Sequence, residues 1–435
     1  MNFQKKFKNV YTFFYIMGMN KDFDSNPAKI KEDQNRRVHE LMKCAYKVPF
    51  YRAKFEETGT TPDDYHCGED LVKFPTIDKT QLRLFMQKAY EDHPDERDSW
   101  QVLRTSGSSG TPLTVVQTHK EHARSNANWI RELEIAGYKP LRGKMYSFQT
   151  SHKASTAGKN DSFIQSLGLM RRKVVTEDSI VGDGIADTIR DINEYKPDML
   201  VLRRNCLVRI AMYAKQHDME LWKPTYYVPV AEKVDDVTRN LLNECLGPGL
   251  IDAYGSTESG NCIIKYPGKD FYYVVNDVVV ANVYDENNQL ADNGRLILTN
   301  LYKKTFPIIN YDIGDSAESF VKDGLRYFTN ISGRLNDLVK HEDGVESSAY
   351  HLMKIANGTV GVAQYRFTQE SYHDMLIQLA LDPNNTSKTK EEIEDHFVSS
   401  VKKLFGDEFN IRVEWLDILP PDDTGKQRCF VCKVK

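Results

Sequence analysis

The stretch Met199-Leu200-Val201-Leu202 decides the fold class, because it is an unbroken apolar run between two segments with helical periodicity. Runs of this kind are typical of strands that a parallel sheet buries on both faces. The alternation continues along the chain, with helices predicted over 185–196, 205–217 and 234–245 and further strands over 226–230 and 250–254. Alternating strands and helices of these lengths predict an α/β fold with a doubly wound parallel sheet. Such sheets bind ligands beyond the carboxyl ends of their strands.

The length of the chain, 435 residues, predicts more than one domain. We expect a large multi-layer N-terminal domain over 1–332, in which 1–98 is a mainly helical lead-in and 272–327 is a β-rich subdomain. A small α+β C-terminal domain is expected over 333–435.

The C-terminal segment has its own βα pattern, with strands predicted over 360–367, 375–381 and 409–416. Thr389-x-x-Glu392 is a capping-box start for a helix between the last two of these strands. Gly406 is predicted to end that helix. Its apolar face is predicted to consist of Ile393, Phe397, Val401 and Leu404.

Composition excludes several classes of partner. Lys and Arg number 58 against 62 Asp and Glu, so the chain offers no basic field for nucleic acid. Seven cysteines, an odd number, indicate reduced thiols and a cytoplasmic protein. Cys429-x-x-Cys432 lies in an alternating run and favours a terminal strand over a metal site. The apolar run over 10–19 is too short to be a transmembrane segment, which leaves an amphipathic helix or peripheral membrane contact.

A dense Gly/Ser/Thr loop, Thr105-Ser106-Gly107-Ser108-Ser109-Gly110-Thr111-Pro112, joins predicted strands over 101–104 and 113–116. Small side chains leave backbone N–H groups free to converge on a phosphate. No lysine follows the second glycine, so the loop is not a Walker A motif. The alternative interpretation is an ordinary flexible hairpin. Thr118-x-x-Glu121 then predicts a capped helix that runs to about Ala136.

Four further segments carry residues suited to binding and catalysis: Ala253-Tyr254-Gly255-Ser256-Thr257-Glu258, Tyr311-Asp312-Ile313-Gly314-Asp315, Gly333-Arg334-Leu335-Asn336-Asp337 and Pro421-Asp422-Asp423-Thr424-Gly425-Lys426. Each also has a structural explanation on its own, as a helix cap, a turn, a surface ion pair or a solvated tail. In this order, together with the loop at Thr105, they resemble the adenylate-forming superfamily of acyl-CoA synthetases, adenylation domains and luciferases. The short chain, Pro49-Phe50-Tyr51-Arg52 and Leu113 in place of a lysine resemble its phenylacetate–CoA ligase-like and CapK-like branch.

The resemblance implies a role for each matching residue. The loop from Thr105 to Gly110 would wrap the β- and γ-phosphates of ATP, and Ala231-Glu232 would lie beside adenine. Tyr254, followed by Gly255 and Ser256 in the same nucleotide-binding motif, would stack on adenine. Thr257 would touch the α-phosphate and Glu258 would hold Mg²⁺. Asp315 would accept the ribose hydroxyls, an apt use of an acceptor-only carboxylate, and Arg334 would reach the ribose or a phosphate. Lys426 would bridge the substrate carboxylate and the α-phosphate.

The resemblance also implies an activity. A carboxylic acid attacks ATP, pyrophosphate leaves, and the acyl group of the acyl-adenylate passes to CoA after the C-terminal domain rotates. Two alternatives stay open: transfer to an amine or a carrier-protein thiol in capsule or natural-product biosynthesis, and a nucleotide-binding protein without turnover. A homodimer is also left open.

The chain departs from the family pattern at three positions: Val230 replaces a glycine, Ile313 replaces a threonine, and Asn336 replaces the hinge aspartate. Asn tolerates the same turn conformations as Asp, so we expect rotation to persist. The segment over 148–153 lies where the acid pocket is expected. There His152 or Lys153 would contact a polar or charged acid, with a surface loop as the alternative.

Overall fold

The computed structural model describes Tyr15, Gly18, Met19 and residues 23–104, 113–149, 171–176, 180, 184–334, 338–385, 387–422 and 426–434. The chain divides into two compact units, of which the first is Met1–Gly137 with Ala253–Arg334 and the second is Tyr138–Asp252 with Leu335–Lys435. Each unit therefore combines two separate stretches of sequence. The predicted domain boundary at 332/333 stays a prediction.

The described helices are α1 Pro27–Ala45, α2 Pro49–Thr58, α3 Lys79–Asp92, α4 His119–Ile135, α5 Gly184–Tyr195, α6 Arg204–Gln216, α7 Asp236–Leu246, α8 Tyr350–Asn357 and α9 Lys390–Phe405. The first ten strands are β1 Trp100–Arg104, β2 Thr114–Thr118, β3 Met145–Gln149, β4 Arg172–Thr176, β5 Met199–Arg203, β6 Tyr226–Val230, β7 Asp252–Ser256, β8 Gly260–Lys265, β9 Tyr272–Val274 and β10 Val279–Tyr284. The others are β11 Asn293–Asn300, β12 Tyr311–Lys322, β13 Leu325–Arg334, β14 Leu338–Lys340, β15 Glu346–Ser348, β16 Val362–Gln369, β17 Asp374–Leu381, β18 Asn410–Trp415 and β19 Phe430–Cys432.

The first unit contains a seven-stranded sheet in the order β10-β11-β12-β13-β9-β8-β7. This sheet confirms the predicted β-rich segment. Strands β1 and β2 pair separately as an antiparallel hairpin, in which Arg104 pairs with Thr114. Helix α4 begins at the predicted capping box, because Thr118 and Glu121 each accept the other's backbone N–H. Its C-cap is Ala136, as the sequence predicts.

The second unit contains the predicted parallel sheet, in the order β4-β3-β5-β6, with every described pairing parallel. Leu200 and Leu202 of β5 are fully buried, and so are Ile189 and Ile192 of α5. The α/β fold class is thus confirmed.

One predicted strand belongs to a different sheet. Leu250 makes a single parallel bridge to Tyr227 of β6, after which the chain leaves the parallel sheet. Strand β7 then begins at Asp252 and joins the seven-stranded sheet next to β8. The reason is local, because the turn after Ser256 leads directly into β8, which becomes the hydrogen-bonding neighbour of β7.

The C-terminal stretch of the second unit forms a four-stranded sheet in the order β18-β17-β16-β19, with α8 and α9 in the same stretch. The capping box at Thr389 and Glu392 is confirmed. The predicted apolar face of α9 is wrong at one position. Phe405 is buried, whereas Leu404 is 45% exposed, because Ile393, Phe397 and Val401 continue at a spacing of four to residue 405. Cys432 lies in β19, and both Cys429 and Cys432 are free thiols.

Most of the N-terminal apolar run over 10–19 lies outside the described residues. Within the described ranges, no helix combines the length and the apolar character needed to cross a membrane.

Candidate active site

Strand β7 and the turn into β8 carry five predicted site residues, Tyr254 to Glu258. Ser256 and Ser259 brace the turn, because each backbone N–H donates to the other's side-chain oxygen, at 3.3 and 3.1 Å. Gly255 is required for close packing, since a Cβ there would lie 2.4 Å from the carbonyl oxygen of Gly260. Thr257 is half-buried within this braced turn, and Glu258 is buried.

Glu258 is held through both its side chain and its backbone. The Tyr311 hydroxyl donates to Glu258 Oε1 at 3.2 Å, and Lys303 Nζ donates to the Glu258 carbonyl oxygen at 2.7 Å. Lys303 is only 1% exposed. Burial lowers the pKa of this lysine to about 8. The turn that carries Glu258 is therefore anchored by a desolvated amine that is close to its own titration range at neutral pH.

The surroundings of Glu258 fit a Mg²⁺ ion that is bound by one protein carboxylate together with the phosphates of a nucleotide. No group of three or more His, Cys, Asp or Glu side chains that could hold a metal occurs in the described ranges. Mg²⁺ is often bound by one or two carboxylates together with substrate phosphates and waters. Glu258 suits that mode, in which a single carboxylate contributes to a metal that the nucleotide brings with it.

Tyr254 and Asp315, 61 residues apart in sequence, meet through a hydrogen bond of 2.5 Å from the tyrosine hydroxyl to Asp315 Oδ2. Burial and the neighbouring Asp315 carboxylate raise the pKa of Tyr254 well above its usual value, so the hydroxyl stays protonated and donates. A carboxylate has about four lone-pair sites, so one bond from Tyr254 leaves acceptor capacity for ribose hydroxyls. In the register of the two paired strands, Asp315 of β12 lies opposite Arg334 of β13. The Arg334 side chain is outside the described part of the structure.

A second support of the Glu258 turn comes from the start of α4. Glu121 Oε2 accepts the N–H of Thr118 at 2.8 Å and completes the helix cap. Its other oxygen, Oε1, accepts the N–H groups of Lys304 and Thr305 at 3.0 and 3.1 Å. One buried carboxylate thus holds both a helix start and the turn that carries Lys303.

In the second unit, Ala231 and Glu232 follow β6 at the carboxyl end of the parallel sheet. Ala231 has a φ of +70°, which is strained for a residue with a Cβ. Glu232 is paired with Arg204 at 3.1 Å, and both side chains are 4% exposed. The Gln427 N–H donates to Glu232 Oε2 at 3.0 Å. The structure thus brings Glu232 together with the residue that follows Lys426.

Lys426 is joined to Asp422 by two hydrogen bonds of its backbone. Its N–H donates to Asp422 Oδ1 at 3.0 Å, and the Asp422 N–H donates to the Lys426 carbonyl oxygen at 2.7 Å. The predicted lysine therefore has a defined backbone position.

Several predicted site residues lie outside the described ranges. These are Thr105, Ser106, Gly107, Ser108, Ser109 and Gly110 of the phosphate loop, the hinge residue Asn336, and His152 and Lys153 of the expected acid pocket. The strands on both sides of the loop are paired, so the strand–loop–strand prediction is confirmed at its ends.

Sequence reasoning missed Lys303, Tyr311, Arg204 and Gln427. A signal existed for Arg204, which directly follows the β5 strand at the edge where such sheets bind ligands. Lys303 gave no such signal, because in sequence it is an ordinary lysine in a segment between two strands.

Comparison with known proteins shows what the chain is similar to. A family model for the CapK C-terminal domain matches residues 339–433. The phenylacetate-coenzyme A ligase of Pseudomonas putida is 26% identical over 333 residues, which cover 71% of this chain and 72% of that protein. The corresponding ligase of Escherichia coli K12 is 28% identical over 333 residues, 70% of this chain and 71% of that protein. Protein CapK of Staphylococcus aureus is 24% identical over 263 residues, and the match spans 57% of its length.

Solved structures show the same fold. The crystal structure of 2-hydroxyisobutyryl-CoA ligase in its postadenylation state, in complex with 2-HIB-AMP, gives a TM-score of 0.73 at 16% identity, covering 94% of this chain and 90% of that one. An open conformation of the same ligase, with 2-HIB-AMP and CoA, gives 0.57, with coverage of 92% and 90%. The motif series, the fold and these relatives agree. The chain is similar to the phenylacetate-coenzyme A ligases and to CapK, and it has the fold of an AMP-forming acyl-CoA ligase.

Proposed function

We propose that this protein activates a carboxylic acid with ATP to an acyl-adenylate and then transfers the acyl group to CoA. The observation that carries the proposal is the 2.5 Å hydrogen bond between Tyr254 and Asp315. This bond joins two residues that are distant in sequence. The family resemblance implies that Tyr254 contacts the base and Asp315 the ribose of the same nucleoside. The odd cysteine count supports a cytoplasmic location as part of the same proposal.

In this proposal the nucleotide is held by its base and its sugar. Tyr254 stacks on adenine, Ala231 and Glu232 lie beside the base, and Asp315 accepts the ribose hydroxyls. Arg334 and the loop from Thr105 to Gly110 contact ribose or phosphates. The hydrogen bond from Tyr254 orients the Asp315 carboxylate before the nucleotide binds, which lowers the ordering cost of binding.

Glu258 and Thr257 act at the phosphates. Glu258 would contribute one carboxylate to Mg²⁺, which neutralises phosphate charge when it is bound. Tyr311 and Lys303 keep that carboxylate and its turn in place. Thr257 donates its hydroxyl to the α-phosphate.

The first half-reaction is a substitution at the α-phosphorus. A carboxylate oxygen of the acid forms a bond to this phosphorus, the bond to the bridging oxygen of pyrophosphate breaks, and pyrophosphate takes the electron pair. Lys426 bridges the incoming carboxylate and the α-phosphate and stabilises the negative charge between them. In the second half-reaction the CoA thiolate attacks the acyl carbon and AMP leaves.

Acid-dependent exchange of labelled pyrophosphate into ATP tests the first half-reaction. A panel that begins with phenylacetate and 2-hydroxyisobutyrate should contain an acid that supports exchange. Lys426→Ala should lower that exchange by ~10²–10³, as expected for the loss of one charge-stabilising donor. Lys433→Ala is the matched control, because the Lys433 side chain forms an exposed ion pair with Glu370. Near-normal exchange in Lys426→Ala would remove this lysine from the mechanism.

The acceptor needs a separate test, because the alternative is transfer to an amine or a carrier-protein thiol. With the acid that supports exchange, CoA should accelerate AMP release, and mass spectrometry should detect the acyl-CoA. If CoA has no effect while an amine or a carrier protein becomes acylated, the alternative replaces the CoA ligase.

A further inference from the structure

Three polar groups in the second unit hold one short piece of backbone. Arg204 Nη2 donates to the Gln427 carbonyl oxygen at 2.7 Å and to Glu232 Oε2 at 3.1 Å. The same carboxylate oxygen accepts the Gln427 N–H at 3.0 Å. Both backbone groups of Gln427 are thus bound by a single ion pair, which we call the 427 latch (Arg204, Glu232 and the Gln427 backbone).

Burial makes the 427 latch rigid. The Arg204 and Glu232 side chains are each 4% exposed, and Arg204 Nη1 also donates to Thr238 at 3.0 Å. Burial opposes the charge of Arg204, but Glu232 together with Cys429 and Asp235 outweighs burial and holds the arginine pKa above its usual value. A guanidinium donates in a fixed planar fork, so it fixes direction as well as distance.

The latch lies one peptide bond from Lys426, the residue to which the proposed function assigns charge stabilisation. On the other side, Asp422 makes two hydrogen bonds to the Lys426 backbone. The Cα of Lys426 is therefore restrained from both directions. Displacements of about 1 Å in a catalytic group can cost about a hundredfold in rate.

We propose that Arg204 and Glu232 are positioning residues for Lys426, and that the 427 latch serves adenylate formation and not thioester formation. This inference rests on the proposed function, in which Lys426 acts in the first half-reaction alone. Neither Arg204 nor Glu232 needs to touch the reacting atoms. Their effect passes through the Gln427 backbone.

The proposal predicts a split between the two half-reactions. Arg204→Lys keeps the charge but loses the fork, so it cannot serve Glu232 and the Gln427 carbonyl in the same way. We expect pyrophosphate exchange to fall at least tenfold in this variant. Thioester formation from the preformed adenylate of the same acid, supplied with CoA, should stay within about twofold of wild type. A purely structural role would lower both rates together.

Two further variants keep the test decisive. The double variant Arg204→Met/Glu232→Leu replaces the buried pair by apolar groups, which proteins often tolerate without loss of stability. It should remain folded, lower pyrophosphate exchange at least tenfold, and expose the Gln427 amide to hydrogen exchange. Lys215→Met is the control. It removes the partly buried ion pairs that Lys215 of α6 makes with Asp382 at 2.7 Å and with Glu244 at 2.8 Å, and it should leave both half-reactions unchanged.

The outcomes separate the inference from the function. If wild type shows no exchange with any acid, the proposed function fails. If wild type is active, three results for Arg204→Lys overturn the positioning role. These are normal pyrophosphate exchange, an equal fall in the rates of both half-reactions, and a fall in pyrophosphate exchange no greater than that of Lys215→Met. Selective loss of pyrophosphate exchange in Arg204→Lys, with faster hydrogen exchange at the Gln427 amide in the double variant, supports the positioning role.

Discussion

Two carboxylates of the first unit, Glu258 and Asp315, have different neighbours and should respond differently to neutralisation. Glu258→Gln should raise the Mg²⁺ concentration needed for half-maximal exchange by about tenfold, because a neutral amide is a poor ligand for a hard cation. Asp315→Asn should weaken ATP binding by a similar factor and leave the Mg²⁺ dependence unchanged, since it loses a charge-assisted acceptor. Titrations of Mg²⁺ and of ATP on both variants check this division. Identical profiles would contradict it.

The importance of Lys303 follows from the structure and not from the sequence. In Lys303→Met we expect a small change in stability, because two effects oppose each other. The variant no longer buries an amine, but it leaves the Glu258 carbonyl without its 2.7 Å donor, which costs about 1–3 kcal/mol. Pyrophosphate exchange should nevertheless fall at least tenfold, because the turn that presents Glu258 loses its anchor. Lys304→Met is the control, since Lys304 is partly exposed and pairs with Glu40. Equal activity in the two variants would exclude an anchoring role.

The same lysine should make stability depend on pH. Its pKa is about 8 in the folded protein, against an ordinary value of 10.5. Between these values the folded chain has released the proton while the unfolded chain still holds it, so the free energy of unfolding rises with pH. The rise amounts to about 3 kcal/mol at most. Thermal unfolding of wild type and Lys303→Met between pH 7 and pH 10 measures this contribution. A constant difference between the two proteins would contradict it.

At the scale of elements, the start of α4 is joined to a distant turn through Glu121. Glu121→Ala should destabilise the protein by about 3 kcal/mol or more, because it removes the helix cap and also leaves the Lys304 and Thr305 N–H groups without their acceptor. Thr118→Ala should cost only about 1 kcal/mol, because it affects the cap alone. Urea denaturation compares the two variants. Equal losses would show that the contact to the 303–305 turn contributes nothing.

Elements were predicted well wherever the signal is local. The capping boxes at Thr118 and Thr389 and the strands β5 and β6 follow from short sequence patterns, and the structure confirms them. The two errors concern a strand that precedes a tight turn and the last turn of a helix. The strand predicted over 250–254 joins another sheet because its neighbour there is β8. Leu404 was placed on the buried face of α9 although Phe405 occupies that face.

At the scale of the whole molecule, the order of the motifs along the chain revealed the family resemblance, and the alternation of strands and helices predicted the parallel sheet. Neither was enough to find the supports of the site. Lys303 reaches Glu258 across 45 residues, and Arg204 reaches Gln427 across 223. No local pattern encodes such pairs, because each depends on how separate stretches pack. Roles assigned to the phosphate loop, to Asn336 and to His152 and Lys153 stay predictions.

The 427 latch has an evolutionary consequence. It binds only an N–H and a carbonyl group of residue 427, and every amino acid except proline supplies both. The latch by itself therefore places no constraint on the side chain at that position, whereas Arg204 and Glu232 must change together or not at all. Among related sequences, this contact would be visible as a coupled pair at 204 and 232, while any constraint on the side chain at 427 would come from a separate contact, the hydrogen bond that Gln427 Oε1 accepts from Gln364 at 3.0 Å.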